Sequence, residues 1–270
     1  MTPIKLPKKI IIAGPCAVEN KEQVLETMKQ AKSLQIDFIR LSLWKPRTKP
    51  GFEGVGEAGI EYVVEAAEQG LNPGVEPILI EHAQQVANAF LKVRNNTKLL
   101  LWIGARNQNH YIQRGIAAIA AKDPRIYLMV KNQIWHNEKH WEGIVEHVLD
   151  SGLPKERLML CHRGFAPTAD NNPKGYRNVP DYDMAMRMKE KTGLPMLFDP
   201  SHTGGSVEKV FDIALEANQH DFDGYIIEVH PNPKGAMSDA TQQLTWGEYR
   251  KLIQQMYNKR VQTAKEHKVV

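Results

Sequence analysis

The chain has 270 residues, 42% of them hydrophobic, which is enough to fill the core of one large α/β barrel. Its 35 Lys and Arg against 31 Asp and Glu leave a net charge of +4, too small an excess to mark a nucleic-acid or membrane surface. Two distant cysteines exclude a disulfide framework, and neither a signal-peptide core nor an apolar run of about 18 residues is present, so a cytoplasmic protein with no nucleic-acid or membrane partner is expected.

Short aliphatic runs alternate with segments of helical period along the whole sequence, the pattern of a parallel sheet wrapped by helices. The first run, 10–13, leads to Cys16 and is followed by a helix over 21–34 that Asn20 caps, with Gln23 completing a weak capping box. The second run, 38–43, leads to Lys45 and Arg47 and a helix over 56–69. A third, 75–80, ends at Glu81 before a helix over 83–93. Runs at 99–103, 126–130 and 158–161 lead to Arg106, Lys131 and the pair His162-Arg163, with helices over 110–121 and 139–150 between them. The 164–180 segment, rich in Pro, Gly and Asn, is long for a connection and is expected to form a lid. After a helix over 181–191, run seven (196–198) leads to His202. A helix over 207–217 precedes run eight (225–227), which leads to Glu228, His230 and the loop holding Asp239. A helix from 245 to 258 follows.

Eight alternations predict a closed TIM (β/α)8 barrel over residues 1–270, with a lead-in of about 1–8 and a helical tail of about 245–270. Closure makes strands seven, eight and one neighbours. Cys16, His202, Glu228 and Asp239 then meet on the C-terminal face, where one thiolate, one imidazole and two carboxylates suit a divalent first-row metal. Lys45, Arg47, Arg106, Lys131 and Arg163 reach the same rim. Five cations there call for a polyanionic ligand carrying phosphate and carboxylate. Cys161 reads as a small buried apolar residue and the five tryptophans as packing groups. His162 and His230 have two readings each, a proton shuttle or partner behind the metal ligands, or a backbone-bonded rim histidine. Glu81 reads as an ion-pair partner or a proton-transfer group, and the basic 259–268 stretch as a solvated helix face.

The motifs Gly14-Pro15-Cys16, Trp44-Lys45-Pro46-Arg47-Thr48, Ile103-Gly104-Ala105-Arg106, Val130-Lys131-Asn132, His162-Arg163-Gly164, Asp199-Pro200-Ser201-His202, Glu228-Val229-His230 and Ser238-Asp239-Ala240 occur in this order. Together the chain resembles the metal-dependent type I DAHP synthases, in their short barrel form. The resemblance implies condensation of phosphoenolpyruvate with erythrose 4-phosphate at the entry to the shikimate pathway, with one divalent ion (Mn²⁺, Fe²⁺, Co²⁺ or Zn²⁺) as cofactor. It further implies that Cys16, His202, Glu228 and Asp239 ligate the metal and that Lys45, Arg106, Lys131 and Arg163 hold phosphoenolpyruvate. Arg47 and Thr48 would face the aldose phosphate, and Lys45, Cys16 and His202 would be the catalytic groups.

Sister synthases that make 3-deoxy-octulosonate 8-phosphate typically carry Asn where this chain has Pro46, so Pro46 favours the four-carbon aldose. That product, a sialic-acid-type product, and a non-catalytic metal-binding barrel are the alternatives. The text around 163–165 and 176–180 looks like a subgroup often fused to chorismate mutase. Too little chain follows the barrel for such a domain, so a separate mutase partner and a homodimer or homotetramer are the associations expected.

Overall fold

A computed structural model describes residues 5–46 and 50–266, and side chains up to residue 262. Eight parallel strands close in sequence order: β1 (Ile10–Gly14), β2 (Phe38–Arg40), β3 (Pro73–Val75), β4 (Leu99–Ile103), β5 (Ile126–Lys131), β6 (Leu158–His162), β7 (Met196–Phe198) and β8 (Gly224–Glu228). Closure is the β1–β8 pairing, which runs from Ile10 opposite Gly224 to Gly14 opposite Glu228. Around it lie α1 (Lys21–Leu34), α2 (Ile60–Glu68), α3 (Ile80–Phe90), α4 (His110–Ala121), α5 (Glu138–Asp150), α6 (Tyr182–Thr192), α7 (Pro200–Gly204), α8 (Val207–Ala217) and α9 (Trp246–Glu266). No helix among the described residues is long and apolar enough to cross a membrane.

The strand runs are continuously apolar because both strand faces are covered. Outward residues such as Ile11, Leu101 and Ile227 pack under the helices. Inward ones fill the barrel: Ile12, Phe38, Leu100, Trp102, Met129, Met159, Cys161, Leu197 and Ile226 form one buried cluster. Cys161 thus occupies the apolar place expected of it. The cap expected at α1 also forms: Asn20 accepts from the Gln23 N–H at 2.9 Å, while the Gln23 side chain accepts from the Glu19 N–H at 2.9 Å.

Several boundaries differ from expectation, each for a local reason. β2 stops at Arg40, because the carbonyls of Ser42 and Leu43 accept from Val18 and Gly56 rather than from a neighbouring strand. β3 ends at Val75, and the apolar stretch after it opens α3 instead; Pro77 has no N–H to give a ladder. Glu81 consequently lies exposed in the first turn of α3, away from the strand end expected for it. α7 was not expected; Asp199 caps it by accepting from the His202 N–H at 2.9 Å, and Pro200 starts it. α9 runs beyond residue 258 and buries Tyr249, Leu252, Ile253 and Met256; of the basic 259–268 stretch, Arg260 is half-buried and donates to Asn218 at 2.8 Å, and the side chains beyond 262 lie outside the described residues. Trp135 is half-exposed, unlike the other four tryptophans.

Candidate functional site

Strand periodicity puts a charge at the last inward position of six strands. Two residues above the apolar cluster stand Arg40 on β2, Lys131 on β5 and Glu228 on β8, joined by Glu76, Arg163 and Asp199 just past β3, β6 and β7. An ionised side chain below the rim is costly unless it is paired, and four of these six are. Arg40 Nη2 lies 2.8 Å from Glu228 Oε1, and Lys131 Nζ lies 2.7 Å from Asp199 Oδ2. Glu76 accepts from Trp102 Nε1 at 2.9 Å and takes the place in the mouth that Glu81 had been expected to fill.

On the side formed by β1, β7 and β8 the expected donors converge. Cys16, Glu228 and Asp239 each place a ligand atom within 4.8 Å of the others. His202 stands at the edge of the group, its Nε2 3.6 Å from Glu228 Oε1. Asp199 Oδ2 sits 2.8 Å from His202 Nδ1, which places the proton on that nitrogen and turns the Nε2 lone pair toward the cluster. Glu228 Oε2 accepts from Gln242 at 2.6 Å, and Gln243 accepts from the Cys16 N–H at 2.8 Å. Lys45 Nζ lies 2.7 Å from Asp239 Oδ2 and 2.9 Å from Cys16 Sγ. The donor set therefore fits a first-row divalent ion in chemistry, in spacing and in the outer hydrogen bonds that fix each donor.

Electrostatics follow the same division. Burial, then the Glu228 charge, push the Cys16 thiol up to about 12 against the pull of Lys45 and Arg40. Burial also works against charge on Asp239, yet Lys45, His202 and Arg177 hold its carboxyl well below the usual range. Asp199 behaves alike, its burial outweighed by His202 and Lys131. Burial lowers His202 despite the pull of Asp199 and Glu228.

Across the mouth the cations face a pocket lined by Lys45, Arg106, Lys131, Arg163 and Arg177. Arg163 differs from the paired charges around it. The residue is buried at 7% exposure, and its side-chain hydrogen-bond partner is a neutral amide, Asn178 Oδ1, at 2.7 Å. Burial, with the charges of Arg177 and Arg106, lowers this guanidinium to about 10 against the pull of Asp199, and it remains cationic. A buried cation facing an open pocket, with no carboxylate bonded to it among the described residues, is the arrangement an anionic ligand completes.

Of the residues expected at the site, Cys16, Lys45, Arg106, Lys131, Arg163, His202, Glu228 and Asp239 meet at the mouth, while Arg47 and Thr48 lie outside the described residues. His162 and His230 take the backbone-bonded reading. His162 Nε2 accepts from the Asp181 N–H and His230 Nδ1 from the Asn232 N–H, both at 2.9 Å. The expected lid, 164–180, is held at both ends by the paired Phe165 and Val179, and it brings Arg177 to within 3.0 Å of Asp239 Oδ1. Sequence reasoning missed Arg40, Glu76, Asp199, Arg177, Asn178 and Gln242. Arg40 carried a legible signal, a charge at the inward phase of an apolar strand; so did Asp199, the cap before Pro200.

A family model described as the DAHP synthetase I family matches residues 6–265. Phospho-2-dehydro-3-deoxyheptonate aldolase of Thermotoga maritima is 32% identical over 248 residues, covering 91% of this chain and 68% of that protein. The 2-dehydro-3-deoxyphosphooctonate aldolase of Cupriavidus taiwanensis is 26% identical over 253 residues, covering 85% of this chain and 81% of that one. Among solved structures, the T. maritima phospho-2-dehydro-3-deoxyheptonate aldolase superposes with a TM-score of 0.81 at 30% identity, over 95% of this chain and 70% of that one. A truncated 3-deoxy-D-arabino-heptulosonate 7-phosphate synthase from the same organism gives 0.77 at 28% identity, over 95% and 87%.

Proposed function

The chain belongs to the DAHP synthetase I family, and on that premise we propose that its barrel mouth joins phosphoenolpyruvate to erythrose 4-phosphate in a metal-dependent condensation that releases phosphate. The observation that carries this reading is the division of the mouth into a sulfur, nitrogen and oxygen donor cluster on one side and a group of cations around Arg163 on the other. Cys16, His202, Glu228 and Asp239 would hold the divalent ion, which when bound polarises the aldehyde oxygen of the acceptor.

The chain's own groups do the rest. Arg106, Lys131 and Arg163 bind the phosphate and carboxylate of phosphoenolpyruvate and fix its C3 toward the aldehyde carbon, so that orientation supplies much of the acceleration. Lys45 stands between the two sides, 2.7 Å from Asp239, where its ammonium can deliver a proton to the acceptor oxygen as the C–C bond forms. Burial opposes the charge on Lys45, but Cys16, Glu228 and Asp239 outweigh it and raise the group, which keeps that proton in place at neutral pH. Water then adds at C2, and phosphate leaves by C–O cleavage.

The test is phosphate release from the two substrates together and from each alone, before chelation, after it, and after metal add-back. Turnover that survives chelation ends the metal assignment. Similarity to an octulosonate-phosphate enzyme makes arabinose 5-phosphate the acceptor to compare; Pro46, in the pocket lining, favours the shorter aldose, and preference for arabinose 5-phosphate would reverse that assignment.

A further inference from the structure

Asn178 touches both sides of the mouth. Its Oδ1 accepts from Arg163 Nη1 at 2.7 Å, and its Nδ2 donates to the His202 carbonyl at 2.6 Å. These two bonds fix which end of the amide faces which neighbour: the guanidinium needs an acceptor and the carbonyl needs a donor. The residue is 6% exposed, and its backbone N–H is tied to the Thr203 carbonyl at 3.1 Å. Room for it is made by glycine. Gly164 has φ +76, and a Cβ there would lie 2.9 Å from Asn178 Cβ and 3.0 Å from its carbonyl carbon. Gly205 does the same for the preceding residue, since a Cβ would stand 2.6 Å from Arg177 Cβ. The 164–180 loop is thus shaped to bring one amide against one arginine.

We propose that Asn178 is a positioning residue for phosphoenolpyruvate: a neutral amide that aims the Arg163 guanidinium into the pocket without neutralising it. The inference rests on Arg163 being a phosphoenolpyruvate ligand. The neighbouring pairs show why neutrality matters. Arg40 is matched by Glu228 and Lys131 by Asp199, whereas Arg163 is oriented by a group that carries no charge. An aspartate in the same place would give the guanidinium an internal anion to compete with the substrate's, and would repel that substrate at short range. It would also set a carboxylate against the His202 carbonyl.

The experiment compares Asn178→Asp and Asn178→Ala with the parent, measuring phosphoenolpyruvate binding by calorimetry, the KM of each substrate, and the melting temperature. In phosphoenolpyruvate binding, a residue that serves only as an acceptor for Arg163 is harmed more by Ala, which removes that bond, than by Asp, which keeps it; the donor to the His202 carbonyl is lost in both variants and is read in the melting temperature. A positioning role for a neutral partner reverses that order. Asn178→Asp is expected to weaken phosphoenolpyruvate binding by at least about tenfold, and Asn178→Ala by less, with the KM of erythrose 4-phosphate little changed in either. Asn178→Asp binding as tightly as Asn178→Ala or the parent overturns the inference. Arg163→Gln separates this failure from that of the premise. If Arg163→Gln binds phosphoenolpyruvate like the parent, Arg163 is not its ligand and both fall; if Arg163→Gln loses binding and Asn178→Asp does not, the inference on Asn178 falls alone.

Discussion

The waist of the barrel and its mouth are made by the same strands, one inward position apart, yet they treat the same chemistry in opposite ways. The two cysteines make the contrast plain. Cys161 sits at the waist among Met129, Met159 and Leu197, where burial and the Asp199 charge raise its thiol against Lys131, Arg163 and Arg40, and among the described residues no carboxylate or ammonium bonds its sulfur. Cys16 is equally buried, but Lys45, Asp239 and Glu228 surround its sulfur. Burial alone makes a cysteine inert; burial beside carboxylates and a cation makes a donor that a metal can claim. The waist is thus a packing problem and the mouth a charge-pairing problem.

The largest effect expected from this contrast is at the cysteines themselves. Cys16→Ala should lower kcat/KM by more than about a thousandfold and abolish metal retention, while Cys161→Ala keeps activity and costs about 1–2 kcal/mol in urea unfolding. Metal content and turnover of the two variants measure it, and equal losses would erase the distinction between the two layers. Next comes the pairing rule at the mouth. Arg40→Met leaves Glu228, buried at 0% exposure, without the cation that bonds it, and in the metal-free protein a loss of about 3–5 kcal/mol in urea unfolding is expected. Stability unchanged from the parent would mean that the mouth tolerates an unpaired carboxylate. Asp199→Asn sharpens the comparison further. It removes the charge that anchors Lys131 and orders the His202 tautomer, so metal affinity should fall about 10–100-fold, beside the loss of stability that the unpaired Lys131 brings. Calorimetric titration with Mn²⁺ reads this, and parent affinity would show that His202 needs no such partner.

The waist was legible in the sequence to a degree that the mouth was not. Apolar runs announce buried parallel strands wherever they occur, so seven of the eight expected runs overlap an observed strand by three residues or more. The third run was misplaced because apolarity alone does not separate a strand from the start of a helix, and Pro77 falls at that junction. Charged residues following strand ends were visible as such, which located Lys45, Arg106, Lys131 and Arg163. What remained hidden were the partners. Arg40 sits within a strand run, Gln242 and Asn178 sit in loops without period, and their roles arise only when the 164–180 and 229–245 segments fold across the rim.

The smallest effect concerns a group between the two layers. His162 ends β6, its ring packed among Trp141, Phe165 and Phe198, and its Nδ1 has no partner among the described residues. Burial, reinforced by the Arg163 charge and opposed by Asp181, lowers its pKa from the ordinary 6.5 to about 3. In the unfolded chain the imidazole takes up its proton near 6.5, whereas in the native protein it does not do so until near 3. Between those values the unfolded state binds more protons, so stability is full above 6.5 and declines as pH falls, by at most about 1.4 kcal/mol per pH unit from this one group. His162→Gln removes the titrating ring while keeping an acceptor for the Asp181 N–H. Urea unfolding at pH 7, 6, 5 and 4.5 should give the variant the shallower acid slope, with the difference between the two proteins largest at the low end. Parallel slopes would show that the ring is protonated in the native barrel, and therefore that the apolar rule of the waist ends below His162 rather than above it.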